Sequence, residues 1–94
     1  MDELYLYARA GCHLCDDTRS ALVLLLAERQ AAGLPSPALV ERDIETNDDW
    51  LRAFMTAIPV VEFAGQRLEL ATSPSRIRRL LADVLDAPAA AARG

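Results

Sequence analysis

With 94 residues, of which 52% are apolar, and a net charge of -4, the chain has room for one folded domain with a single core. The apolar content excludes a largely disordered chain, and the absence of a basic run leaves no electrostatic reason to bind nucleic acid. The longest apolar stretch, residues 21–27, is far too short to cross a bilayer, so no membrane partner is expected.

The first elements predicted are a strand and a long helix. Residues 4–7 read Leu-Tyr-Leu-Tyr, so both sets of alternating positions are apolar, which is typical of a strand covered on both faces. From Cys12 the pattern becomes helical, and Gly33 followed by Pro35 ends it. The apolar positions that recur at three- and four-residue spacing in this helix are Leu22, Leu25 and Leu26.

A second strand and a short helix follow. Residues 38–44 predict the strand, and Thr46 or Asn47 would cap the helix. The side chains expected to face inward from this helix are Leu51, Phe54 and Met55.

The second half of the chain predicts a hairpin and a last helix. Residues 59–63 form the third strand, 64–66 a tight turn and 67–70 the returning strand, with Leu68 and Leu70 alternating. Ser73 and Pro74 are a cap and a first helical position. The buried stripe of this last helix is Ile77, Leu80, Leu81, Val84 and Leu85.

The order β-α-β-α-β-β-α predicts an α/β fold. A helix joins the first two strands, so they should be parallel with a right-handed crossover, and the last two strands form a hairpin. One mixed four-stranded sheet with helices on both faces is the simplest arrangement. The domain is expected at residues 1–87, followed by a disordered tail at 88–94 that has no apolar stripe to bury.

Cys12 and Cys15 form a Cys-x-x-Cys pair at the junction of the first strand and the first helix. A zinc site needs about four ligands, and the nearest other candidate, His13, has no second cluster to join it, so no metal site is expected. A pair in this setting is typical of redox chemistry. Unpaired backbone N–H groups at the helix start would stabilise a thiolate on Cys12, which would attack a disulfide, and Cys15 would resolve the mixed disulfide.

The surrounding charges act in opposite directions on the Cys12 thiolate. A protonated His13 and the guanidinium of Arg9 would favour the thiolate, whereas Asp16 and Asp17 oppose it. His13 is equally well explained as a solvent-facing residue between two reactive ones. The acidic N-terminus is unlike a secretory signal, so a cytoplasmic location is expected, where cysteine pairs are more often reactive than structural.

Two stretches make the chain similar to the glutaredoxin-like branch of the thioredoxin superfamily, known from small bacterial proteins. They are Tyr-Ala-Arg-Ala-Gly-Cys-His-Leu-Cys at 7–15 and Thr-Ala-Ile-Pro at 56–59, and the resemblance extends over about residues 3–86. It implies a thioredoxin-like fold and a cis-proline at Pro59. It also implies that Ile58 offers its backbone to a thiol substrate and that Arg9 contacts glutathione. Read without the resemblance, Pro59 would be an ordinary trans residue at a strand start and Arg9 a solvated charge.

The chain departs from the glutaredoxin pattern in two places. The residues between the cysteines are His-Leu and not Pro-Tyr, and the family's Gly-Gly-x-Asp stretch, which holds one end of glutathione, is replaced at 70–75 by Leu-Ala-Thr-Ser-Pro-Ser. Ser73 would then supply donors at a helix start, which is a fair anion site. The departures leave glutathione dependence less secure than the redox chemistry.

Two classes of function follow from these observations. The first is a monomeric thiol–disulfide oxidoreductase that acts on a disulfide-containing protein or a glutathione mixed disulfide, with no bound cofactor and with glutathione as co-substrate. The second is a non-catalytic interaction or redox-sensing domain on the same scaffold. The presence of both cysteines favours the first.

Overall fold

Four strands, three α-helices and one 3-10 helix follow one another in a computed structural model, which describes residues 3–86. The tail predicted at 88–94 lies outside the described residues. In chain order the elements are β1 Leu4–Ala8, α1 His13–Ala31, β2 Leu39–Asp43, the 3-10 helix Ile44–Thr46, α2 Asp48–Phe54, β3 Val60–Phe63, β4 Gln66–Leu68 and α3 Pro74–Leu85.

The strands form one mixed sheet in the order β2-β1-β3-β4. β1 and β2 are parallel, with Ala8 opposite Asp43 at their carboxyl ends, and β3 is antiparallel to both β1 and β4. The predicted mixed sheet, with its parallel first pair and its terminal hairpin, is therefore confirmed. Ala64 and Gly65 both have positive φ, at 52° and 78°, which is the geometry that a two-residue hairpin turn requires.

β1 lies between two apolar cores because its alternating side chains point to opposite faces of the sheet. Leu4, Leu6 and Ala8 join the larger core, whereas Tyr7 joins the smaller one. The larger core is completed mainly by side chains of α1, β3 and α3: Cys15, Leu22, Leu25, Leu26, Val61, Phe63, Ile77, Leu80 and Leu81. The smaller core contains Ile44, Phe54 and Val60. Helices thus cover both faces of the sheet, as the apolar first strand predicted.

Local signals start the helices as predicted. Asn47 caps α2 through its side-chain oxygen, and Ser73 caps α3, where Pro74 is the first helical residue. Cys12 is the cap of α1. Within residues 3–86 none of these helices, including the 19-residue α1, has the apolar length that crossing a membrane requires.

The prediction of Met55 as an inward-facing residue is wrong, and so is the prediction of Leu70 as part of the returning strand. α2 ends at Phe54, so Met55 becomes its C-cap, and its side chain is 55% exposed. β4 ends at Leu68, and Leu70 lies beyond it with φ of 48°, so that its side chain is 53% exposed. The backbone N–H of Leu70 donates to the carbonyl of Ala57 at 2.8 Å. This contact draws the chain out of the strand and turns it toward α3.

Candidate active site

The two cysteines lie at the start of α1 and are joined as a disulfide, with 5.2 Å between their Cα atoms. Cys12 is in extended conformation at the cap position, and its Sγ accepts a hydrogen bond from the backbone N–H of Cys15 at 3.1 Å. Cys12 is partly exposed, whereas Cys15 is fully buried in the larger core. The helix start therefore presents one sulfur toward solvent, with a backbone donor aimed at it, and keeps the other inside.

A chain of hydrogen bonds links α1 to the residue that opens β3. Thr18, one turn after Cys15, is 2% exposed, and its hydroxyl donates to the carbonyl of Ala71 at 2.8 Å. The N–H of Ala71 donates in turn to the carbonyl of Pro59, also at 2.8 Å. Ile58 packs against both cores, and its peptide bond to Pro59 is cis. These bonds connect the second turn of α1, which follows the cysteine pair, to the Ile58–Pro59 segment.

Arg9 lies at the carboxyl end of β1. Its guanidinium forms an exposed ion pair with Glu45 in the 3-10 helix, at 3.1 Å. The pairing follows from strand register, because Ala8 is opposite Asp43 and the residues that follow the two strands must run side by side. Arg9 also lines a cleft of about 270 Å³ into which the first turn of α1 projects Asp16. Neither cysteine lines this cleft, but two of its lining residues, Arg9 and Asp16, flank the Cys12–Cys15 pair in the chain.

The two other arginines that line the cleft are also engaged. Arg19 binds both Asp16 and Glu41, and these two hydrogen bonds raise the pKa of Arg19 above its ordinary value. Arg42 donates to the hydroxyl of Tyr7 at 2.7 Å and stacks over the ring of Tyr5, with its Cζ 3.8 Å from the ring centroid. Every arginine of the cleft is therefore held by a partner within the domain.

Neither His13 nor Ser73 is hydrogen-bonded to a cysteine sulfur within residues 3–86. His13 is the first residue of α1 and is exposed, and its side chain forms no hydrogen bond or ion pair with residues 3–86. The hydroxyl of Ser73 accepts from the backbone N–H of Arg76 and lies 3.0 Å from that of Ser75. The Ser73 hydroxyl is thus used to cap α3. No group of three or more potential metal ligands occurs among the described residues.

Sequence reasoning missed Thr18 and Glu45. Thr18 had a detectable signal, since it is a hydroxyl residue on the stripe that carries Cys15 and Leu22, where apolar residues are expected. Glu45 had no such signal. Its proximity to Arg9, 36 positions away in the chain, depends on the register of β1 and β2.

One comparison with known proteins identifies a family, and another finds similar solved structures. Residues 3–85 match the model of a family described as "Glutaredoxin-like domain (DUF836)". No curated protein matches the chain. Among solved structures, the chain is similar to the X-ray structure of the structural genomics target protein XcR50 from X. campestris, with 28% identity and a TM-score of 0.66 over 83% of this chain and 93% of that one.

A solution structure of the same X. campestris protein is also similar, with 28% identity and a TM-score of 0.64 over 84% of this chain and 91% of that one. The family match covers almost all of the described residues, and the mixed sheet with its helices has the thioredoxin-like arrangement. On this evidence the chain belongs to the glutaredoxin-like domain family.

Proposed function

We propose that this protein is a thiol–disulfide oxidoreductase that cycles Cys12 and Cys15 between dithiol and disulfide. The observation that carries the proposal is the asymmetry of the pair. The Cys12 sulfur is partly exposed and accepts the N–H of Cys15 at 3.1 Å, whereas the Cys15 sulfur is buried. A donor aimed at one sulfur favours its thiolate, which is the form that attacks disulfides.

The proposed reaction has two exchange steps. The Cys12 thiolate attacks one sulfur of a substrate disulfide, whose S–S bond breaks, and the departing sulfur takes up a proton. Cys15 then loses its proton and attacks the Cys12 sulfur, which releases the second substrate thiol and forms the Cys12–Cys15 disulfide. Two electrons pass from the pair to the substrate, and an external dithiol or two monothiols return the pair to the reduced state.

Alkylation tests the assignment of the nucleophile. With limiting iodoacetamide at neutral pH, the reduced protein should be labelled several-fold faster at Cys12 than at Cys15, because Cys12 is both accessible and hydrogen-bonded by a backbone donor. Peptide mapping by mass spectrometry gives the ratio, and the unfolded reduced protein, in which both thiols are exposed, is the control. Faster labelling of Cys15 in the folded protein would reverse the assignment.

Two exposed apolar side chains, one between the cysteines and one beside the residue that binds Thr18, favour a protein substrate. Leu14, between the cysteines, is 50% exposed, and Leu70, which precedes Ala71, is 53% exposed. Such side chains would pack against apolar residues that flank a disulfide in a partner protein. The same surface supports the second candidate function, an interaction domain that holds a partner without exchanging electrons with it. The two candidate functions are distinguished by whether the reduced protein transfers electrons to a substrate disulfide.

Glutathione is proposed as a co-substrate on the resemblance of the chain to glutaredoxins. Arg9 would bind one of its carboxylates, with Ile58 offering its backbone and Ser73 lying at a helix start nearby. His13 is proposed to support the Cys12 thiolate. A reducing compartment such as the cytoplasm suits this cycle, because the disulfide must be reduced again after each turnover.

A further inference from the structure

The cleft lined by Arg9 and Asp16, the residues that flank the cysteine pair in the chain, offers no uncommitted cation to a substrate. Arg19 is bound by two carboxylates, and Arg42 is held by the Tyr7 hydroxyl and the Tyr5 ring. Arg9 has a single carboxylate partner, Glu45, and both members of this pair are well exposed, at 39% and 49% of their side-chain surface. Arg9 is therefore the arginine of the cleft whose partner a substrate carboxylate would displace most easily.

Glu45 is held in place by its own segment. Ile44 is fully buried in the smaller core, and the side chain of Asp43 accepts the backbone N–H of Glu45 at 2.9 Å. The hydroxyl of Thr46 donates to the carbonyl of Asp43 at 2.6 Å. Because this backbone is fixed close to Arg9, the Glu45 carboxylate is present there at a high effective concentration and competes with a carboxylate that arrives from solution.

We propose that Glu45 is a specificity-determining residue that occupies Arg9 and so discriminates against disulfides that carry carboxylates. The site then uses neutral or cationic disulfides in preference to anionic ones, and glutathione, the co-substrate proposed above, must displace Glu45 before one of its carboxylates can bind Arg9. This inference rests on the proposed oxidoreductase function, which it deepens by naming the charge class of the substrate. It gives Glu45 a role that requires no contact with the reacting sulfurs.

The test compares two small disulfides, hydroxyethyl disulfide, which is neutral, and dithiodipropionate, which carries two carboxylates. The rate constant for reaction of the reduced protein is measured with each, at low and high salt, for the wild type, Glu45→Gln, Arg9→Ala and the double variant. Asp48→Asn is the matched control, since it removes one negative charge from the neighbouring segment and Asp48 forms no ion pair with an arginine among residues 3–86.

Glu45→Gln should raise the rate with dithiodipropionate, relative to the neutral disulfide, by roughly two-fold to five-fold, the upper value corresponding to about 1 kcal/mol for an exposed pair. The gain should shrink at high salt, because exposed charges are screened. In the Arg9→Ala background the gain should be lost, since Glu45 then has no arginine to occupy, and Asp48→Asn should produce a smaller gain than Glu45→Gln.

An equal gain with Asp48→Asn, or a gain that persists in the Arg9→Ala background, would overturn the proposal in favour of a general effect of net charge. No gain with Glu45→Gln would overturn it outright. If the wild type reduces neither disulfide, the oxidoreductase function fails. The Glu45 inference is then decided by the rates at which Cys12 is alkylated by iodoacetate, which carries a carboxylate, and by iodoacetamide, which does not. The same variants are compared, and Glu45→Gln should raise the rate with iodoacetate relative to iodoacetamide only when Arg9 is present.

Discussion

Replacing Cys12 by serine should reduce turnover of hydroxyethyl disulfide, driven by dithiothreitol, by at least roughly a thousandfold, to the uncatalysed rate. A serine hydroxyl neither attacks sulfur at neutral pH nor forms a disulfide, so the first exchange step is lost. Replacing Cys15 by serine should preserve that first step and trap the mixed disulfide on Cys12. Intact mass and peptide mapping of the reduced variants, after mixing with the disulfide in the absence of other thiols, identify the adduct and its position.

The two cysteine variants control for each other. Each has lost the Cys12–Cys15 disulfide, so this loss is common to both. A denaturation curve for each checks that both are folded, since Cys15→Ser also places a hydroxyl in the core. The contrast in reactivity then reports the different positions of the two sulfurs, one at the cap and one in the core. A stable adduct on Cys15 of the Cys12→Ser variant, formed at the wild-type rate, would contradict the assigned roles.

Leu22→Ala should lower the free energy of unfolding by about 2–5 kcal/mol, whereas Leu24→Ala should change it by no more than about 0.5 kcal/mol. Both leucines lie within α1, but Leu22 is fully buried and Leu24 is 65% exposed. The same substitution in the same helix alters helix propensity about equally, so the difference measures burial. Urea denaturation followed by circular dichroism gives both values.

This pair of variants also tests the orientation of the helix that carries the cysteines. Leu22 is two turns after Cys15 on the same buried stripe, with Thr18 between them. Similar losses for the two variants would mean that α1 is rotated relative to the sheet. A rotated helix would expose Cys15 and remove the asymmetry on which the proposed mechanism depends.

Much of the fold could be predicted from the sequence because its signals are local. Asn47 and Ser73 cap helices through their own side chains, Pro74 follows as a first helical residue, and Gly65 supplies a positive φ to the hairpin turn. In each case the residue type determines the conformation within a few positions of itself. The Cys-x-x-Cys pair was equally visible, since both cysteines belong to one helix start.

The parts that could not be predicted depend on long-range contacts. Leu70 continues an apolar pattern, but its strand ends before it and its backbone N–H binds the distant carbonyl of Ala57. Met55 likewise continues the apolar pattern of α2, which ends one residue before it. The contact of Thr18 with Ala71 joins residues 53 positions apart. The pairing of Arg9 with Glu45 likewise requires the register of two strands, which sequence spacing does not reveal.

The central claim is that the Cys12–Cys15 pair is a reaction centre, and a single-turnover experiment tests it most directly. Fully reduced protein, freed of reductant, is mixed with excess hydroxyethyl disulfide, and the released thiol and the state of the cysteines are followed together. We predict two equivalents of released thiol per protein and complete conversion to the Cys12–Cys15 disulfide. The thiol should be released faster than when an equal concentration of a free monothiol replaces the protein. A protein that stays reduced, or that reacts no faster than the free thiol, would contradict the account. The second candidate function, an interaction domain, would then be favoured.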